Sequence, residues 1–176
     1  MYRTLYRGAD FIAQVLAYLG GAILIAIIAM TVVSIIGRLF VPLQIGIGPI
    51  RGIYDFTSMA MAAAVFAFLP ICQLRQGHAV VDLFERRMPD SVGRILDLLF
   101  NAMMLGAATI GTLRLFAGLQ DKMATGETTQ IAEMPVWWGY AAGMVGATGF
   151  ILVAGFCTLR AALMMSERFR EAQPHV

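Results

Sequence analysis

The side chains with which this chain could do chemistry crowd into one stretch, RQGHAVVDLFERR, residues 75–87. Arg75, His78, Asp82, Glu85, Arg86 and Arg87 arrive there together, beside long tracts without charge. His78 and Asp82 could relay a proton, and Asp82 with Glu85 could form a carboxylate pair that divides acid and base roles. On an exposed helix the same carboxylates form a solvated face, which is the reading preferred here. Elsewhere the chemistry thins out. The only histidines are His78 and His175. A membrane haem protein usually needs paired axial ligands, and none is available in the apolar tracts. No HExxH, CxxC, GxSxG or phosphate-loop motif occurs. Cys72 and Cys157 lack spaced partners and read as free thiols. Ion-coupled transport would want an acid deep in a membrane span. Asp97, with Asn101 one turn deeper on the same face, comes nearest, and an interfacial contact between helices explains it as well. No enzyme activity, metal or cofactor is expected.

The elements that position these residues follow from composition. The 176 residues are 59% hydrophobic and 14% charged, with mean hydropathy +0.75, whereas a soluble domain carries about 25% charged residues. Charge is absent from residues 11–37, 56–74, 98–113 and 134–159. Crossing a hydrocarbon core takes about 20 apolar residues. Three tracts meet that length. The third has 16 residues, so Asp97 or Arg114 must lie at the membrane edge or slightly inside it. Helices satisfy their own backbone in lipid, and no alternating pattern suggests a barrel. The expectation is an all-α membrane protein forming a single domain over residues 1–176. Its spans fall at about 11–37, 53–75, 91–119 and 134–160. The first tract is too long for the apolar region of a signal peptide and is expected to be retained.

Four spans put both termini on one side. Arg3, Arg7, Arg75, Arg86, Arg87, Arg94, Arg160, Arg168 and Arg170 share it, against Arg38, Arg51, Arg114 and Lys122 opposite. That bias places the termini in the cytoplasm. Trp137 and Trp138 then anchor the outer interface. Gly77 can end the second helix. A short amphipathic helix over about 79–88 would lie in the headgroup layer, stopped by Pro89, with Asp90 or Ser91 capping the third span. Pro135 suits the first position of the fourth. Arg38 and Arg114, near the outer edge, could snorkel to phosphates or pair with a partner protein.

Small residues recur on one face of two helices: Ala60, Ala64 and Ala67, then Gly139, Gly143 and Gly146. They allow close helix packing. The residues thus describe a four-helix membrane scaffold without an evident pore. A net charge of +2, evenly spread, does not point to nucleic acid. A tetraspan assembly protein unrelated to transport and a small dimeric exporter remain as alternatives, the latter disfavoured by the missing embedded carboxylate.

The segment Arg75-x-Gly77-His78-Ala79-x-Val81-Asp82, between spans two and three, resembles the signature of the small membrane subunit of TRAP transporters, the DctQ type, roughly R-x-G-H-I-x-V-D. The likeness runs from about residue 15 to 160. Arg38 matches an arginine closing span one, with Ser34 where an asparagine is usual. Asp55 matches an acid opening span two. Gly126, Thr128, Thr129, Pro135 and Trp137 match the outer loop. The resemblance implies a tripartite, sodium-coupled symport system for carboxylates or related organic anions in a bacterial inner membrane. Its other parts are a large membrane subunit and a periplasmic substrate-binding protein. The small subunit would buttress the large one, among membrane lipids, and offer part of the docking surface. Arg38, Asp55, Arg75, Gly77, His78, Asp82 and Asp97 are then candidates for structural or partner contacts. Arg51, Lys122, Glu127 and Glu133 are candidates for docking.

Overall fold

Long apolar tracts produce four long helices, one of which carries a proline, Pro70, in its interior. The computed structural model describes residues 2–40, 52–75 and 90–171. Helix α1 runs Tyr2–Phe40, α2 Ile53–Leu74, α3 Asp90–Thr125 and α4 Trp137–Glu171. All four are long and apolar enough to cross a membrane. At 1.5 Å per residue even α2 spans about 33 Å, matching a hydrocarbon core of roughly 30 Å. The other three overshoot, so their charged ends protrude. Two sides follow: a terminal end, with both chain termini and the α2–α3 connection, and a connection end, with the α1–α2 and α3–α4 connections.

The helices do not close into a square bundle. Helix α4 packs along α2 and α3, and α2 along α1. Helices α1 and α3 share no packed face among the described residues. Burial is therefore uneven. On α1 a narrow stripe of Ala13, Leu16, Ile27 and Ser34 faces inward, while Phe11, Tyr18, Ile25 and Leu39 stay exposed. Lipid is the natural solvent for such side chains, since exposed apolar surface on this scale is foreign to soluble monomers.

Small residues make the inner contacts. Ala63, Ala64, Ala67, Ala108, Ala147 and Ala154 are all buried, where dispersion between close backbones replaces the hydrophobic effect. Gly20 on α1 sits so near α2 that a Cβ there would lie 3.2 Å from the Ala67 Cβ. A Cβ on Gly146 would lie 2.5 Å from the Phe66 carbonyl carbon and 2.6 Å from its oxygen. Pro70 is fully buried in α2, one turn further along. It has no N–H for the carbonyl four residues earlier, which is that of Phe66. The freed oxygen faces a glycine that presents only Cα hydrogens, a geometry for weak C–H···O contacts.

Polar side chains stitch the terminal end. Gln73 Nε2 donates to Asn101 Oδ1 at 3.0 Å, and Asn101 Nδ2 donates to the Asp97 carbonyl at 2.8 Å. Thr158 Oγ1 donates to the Asn101 carbonyl at 3.0 Å. Cys157 Sγ lies 3.9 Å from the Gln73 carbonyl. Helices α2, α3 and α4 are thus tied at one level. Gln73 is nearly fully buried and would be costly in lipid without such partners.

Helix α1 extends past the expected span at both ends, and α3 and α4 run on to Thr125 and Glu171; two local boundaries also differ. Helix α4 begins at Trp137, two residues after Pro135, because Pro135 is held in an antiparallel bridge with Thr128. Its carbonyl instead accepts the Trp138 N–H at 3.2 Å and leads the chain into the helix. Helix α2 ends at Leu74, where Arg75 N–H still bonds the Ile71 carbonyl at 3.1 Å. The amphipathic helix expected at 79–88 lies outside the described residues, as does the stretch around Pro49.

Candidate functional site

The connection end carries the most ordered polar structure. Helix α3 stops at Thr125, and Gly126 takes φ +63°, the left-handed conformation that ends many helices. The chain then folds back as a short hairpin. Thr129 N–H bonds the Met134 carbonyl at 2.9 Å, Val136 N–H the Glu127 carbonyl at 3.0 Å, and Met134 N–H the Thr129 hydroxyl at 3.1 Å. The tip of the hairpin lies on the start of α2. There Asp55 Oδ2 accepts from Ile131 N–H and Ala132 N–H, both at 3.1 Å. The sequence separation exceeds 70 residues, so one carboxylate clamps two distant parts of the chain.

Gly52 makes room for this clamp. It has φ +73°, and a Cβ there would lie 2.5 Å from the Ala132 Cβ. Position 52 therefore needs glycine for its backbone and again for space. Gly52 also caps α2, its carbonyl accepting the Phe56 N–H at 3.1 Å.

Charge sits around the hairpin. Lys122, in the last turn of α3, pairs with Glu127 across the helix end. Among the described residues this is the only ion pair. Glu133 is exposed and holds φ 51°, an uncommon conformation for a residue with a Cβ. Trp137 and Trp138 stack edge to face, ring centroids 6.1 Å apart; Trp138 is about half exposed, as suits an interfacial anchor. Arg38 closes α1, exposed in its last turn. Arg51 lies outside the described residues.

The other candidates lie at the terminal end, far from the hairpin. Arg75 is exposed and lines an open cleft of about 450 Å³ between α1 and α2, with Gln14, Ala17, Tyr18 and Ile71. Asp97 is exposed, and its backbone carbonyl, not its carboxylate, joins the Asn101 network. Gly77, His78 and Asp82 lie outside the described residues. No cluster of metal-ligating side chains occurs among the described residues.

A family model for the DctQ component of tripartite ATP-independent periplasmic transporters matches residues 27–170. The chain belongs to that family. The DctQ match covers both the Asp55 clamp and the terminal-end network. Comparison with curated proteins and with solved structures returned no match. Membership and the four apolar helices together make this a multi-pass protein of the bacterial inner membrane. It is a component of a tripartite transporter, the family being that of its small membrane subunit, which works with a large membrane subunit and a binding protein.

Two features were not reached from sequence. Gln73 stands two residues before Arg75 and reads as part of the boundary. Its partner Asn101 was visible only beside Asp97. The acceptor role of Asp55 left no local signal, because its donors are backbone groups of a loop distant in sequence.

Proposed function

We propose that this DctQ-family chain buttresses the large subunit of a sodium-coupled transporter for carboxylates or related organic anions. It also presents part of the surface on which the periplasmic binding protein lands. The observation that carries this reading is the hairpin 126–136 pinned to α2 by Asp55. A soluble partner needs a landing surface that keeps its shape, and a clamped hairpin pays little ordering entropy on contact. No acid lies within the apolar interior of any span, so ion coupling falls to the large subunit. Arg51, Lys122, Glu127 and Glu133 supply the charges of the docking surface.

Lys122 and Glu127 allow a direct test in reconstituted transporter. Exposed charges act mainly on encounter rate and register. Lys122→Glu or Glu127→Lys should slow uptake severalfold at low binding-protein concentration and much less at saturation. Each also breaks the Lys122–Glu127 pair. The double reversal restores that pair with inverted polarity, so a docking role predicts that the defect persists. Full recovery in the double variant assigns the pair to loop structure alone, and unchanged kinetics in both single reversals places docking on the large subunit.

A periplasmic connection end belongs to this reading, and the basic bias supports it. Gln130, exposed at the hairpin tip, offers the check. In a chain lacking Cys72 and Cys157, Gln130→Cys should react with an impermeant thiol reagent in intact cells. Reaction only after the membrane is opened reverses the orientation.

A further inference from the structure

Arg114 stands out against the helix that carries it. Cross-helix contacts fix its depth. The space above Gly118 on α3 is filled by the Tyr140 ring of α4. Arg114 lies one turn beyond Gly118 toward the bundle centre, and Tyr140 three residues beyond Trp137. At 1.5 Å per residue Arg114 is therefore about 10 Å deeper than the tryptophan level. At the other end, the Asn101–Thr158 contact puts Asp97 one turn outside the polar network. We therefore take Arg114, and not Asp97, as the charge bounding the short apolar tract of α3 that reaches into the apolar layer.

Its direction is as telling as its depth. Ala108 and Thr112, buried against α4, mark the inner face of α3. Met103, Ala107, Ile110, Arg114 and Ala117 fall on the opposite arc, and all are exposed. Gly106 and Gly111 flank that arc with nothing within 4 Å of a built Cβ. Helical Cα–Cβ bonds tilt toward the helix N-terminus. For α3 this is the terminal end, so the Arg114 side chain sets out toward the membrane centre, away from the nearer interface. Snorkelling would require it to double back. Arg114 makes no ion pair or hydrogen bond among the described residues.

We propose that the outward face of α3, centred on Arg114, seats a membrane-embedded segment of the large subunit that supplies a carboxylate at this depth. A guanidinium in lipid is expensive and seeks such an acceptor, and a carboxylate meets it with two parallel hydrogen bonds. The proposal rests on the partnership with the large subunit under Proposed function.

The test uses the complex of this chain with its large subunit, extracted in mild detergent. Arg114→Leu and Arg114→Glu should lower the retained large subunit by roughly tenfold or more, as loss of a buried charge partner acts on dissociation. Arg114→Lys should fall between, keeping charge without the planar fork. Leucine at a lipid-facing site does not harm the helix, so the isolated chain should melt as wild type does. A photocrosslinker at Ile110 gives a reading independent of stability, and its adduct should be with the large subunit. Wild-type retention in Arg114→Leu, or an Ile110 adduct only with lipid or a second copy of this chain, overturns the proposal while leaving the partnership intact. Failure of the wild-type chain to retain any large subunit overturns the partnership, and the proposal with it.

Discussion

Gly146→Val unseats α2 from α4 and costs about 3 kcal/mol, the upper end of what overpacking usually costs. A Cβ at this position would meet the Phe66 carbonyl carbon at 2.5 Å, its oxygen at 2.6 Å and the Ala67 nitrogen at 2.7 Å. All three are backbone atoms inside a helix, and none can swing aside as a side chain end would. The only relief is to move one helix from the other, and that separation is not local. Ala67 is packed against Gly20 of α1 on its other side, so α1 must follow or lose its own contact. The Phe66 carbonyl, deprived of a helical donor by Pro70, would lose the Cα hydrogens that face it. Thermal unfolding in nanodiscs should show a large drop in midpoint for Gly146→Val.

The other glycines supply the controls. A Cβ on Gly139 would lie 3.0 Å from the Met59 Cγ and 3.1 Å from its Cβ, so the side chain can turn away but the Cβ must give by a few tenths of an ångström. Gly139→Ala should therefore cost less than Gly146→Val but more than a change at an open site. Gly21 has nothing within 4 Å of a built Cβ, so Gly21→Ala should be neutral or slightly favourable, given alanine's higher helix propensity. Equal midpoints for Gly146→Val and Gly21→Ala would refute the close approach of α2 and α4.

Much of this fold is legible in the chain before any coordinates. Charge-free tracts mark the spans because a lipid solvent leaves so few ways to place a charge. The Gly139, Gly143 and Gly146 stripe is visible from helical spacing alone. Which of the three lies hardest against backbone is not, since that depends on the register between α2 and α4. Arg114 shows the same division. Sequence brings it to the membrane edge together with Asp97, and only the Gly118–Tyr140 contact sets its level against Trp137 of α4. Asp55 is legible as an acid opening a span, but its donors lie across the fold. Pro135 misleads for a related reason: its fitness for a helix start is local, and the bridge to Thr128 that claims it is not.

Gly52→Val is expected to release the hairpin 126–136 from α2 while sparing the core of the bundle. Two penalties combine at this position. A non-glycine residue in the left-handed region costs roughly 1–2 kcal/mol, more for a β-branched one. Space is the second: a Cβ would lie 2.5 Å from the Ala132 Cβ and 3.0 Å from its Cα and nitrogen. The hairpin tip must lift, and Asp55 then loses both donors, Ile131 and Ala132. Asp55→Ala reaches the same state from the other side, leaving the two N–H groups without their acceptor. Asp55→Asn keeps an acceptor oxygen and should be milder. Because Gly52 and Asp55 serve one contact, combining Gly52→Val with Asp55→Ala should cost less than the sum of the two, the mark of coupled sites. Amide hydrogen exchange reads the event directly, since local opening exposes the hairpin without global unfolding. The Ile131 and Ala132 amides should lose protection in Gly52→Val, while Val153 and Ala154, buried in α4, should keep theirs. If the hairpin is also the landing surface, uptake at low binding-protein concentration should fall with hairpin protection across the three single variants. Protected Ile131 and Ala132 amides in Gly52→Val would mean that the clamp does not depend on this glycine. Lost protection with undiminished uptake would separate the clamp from docking.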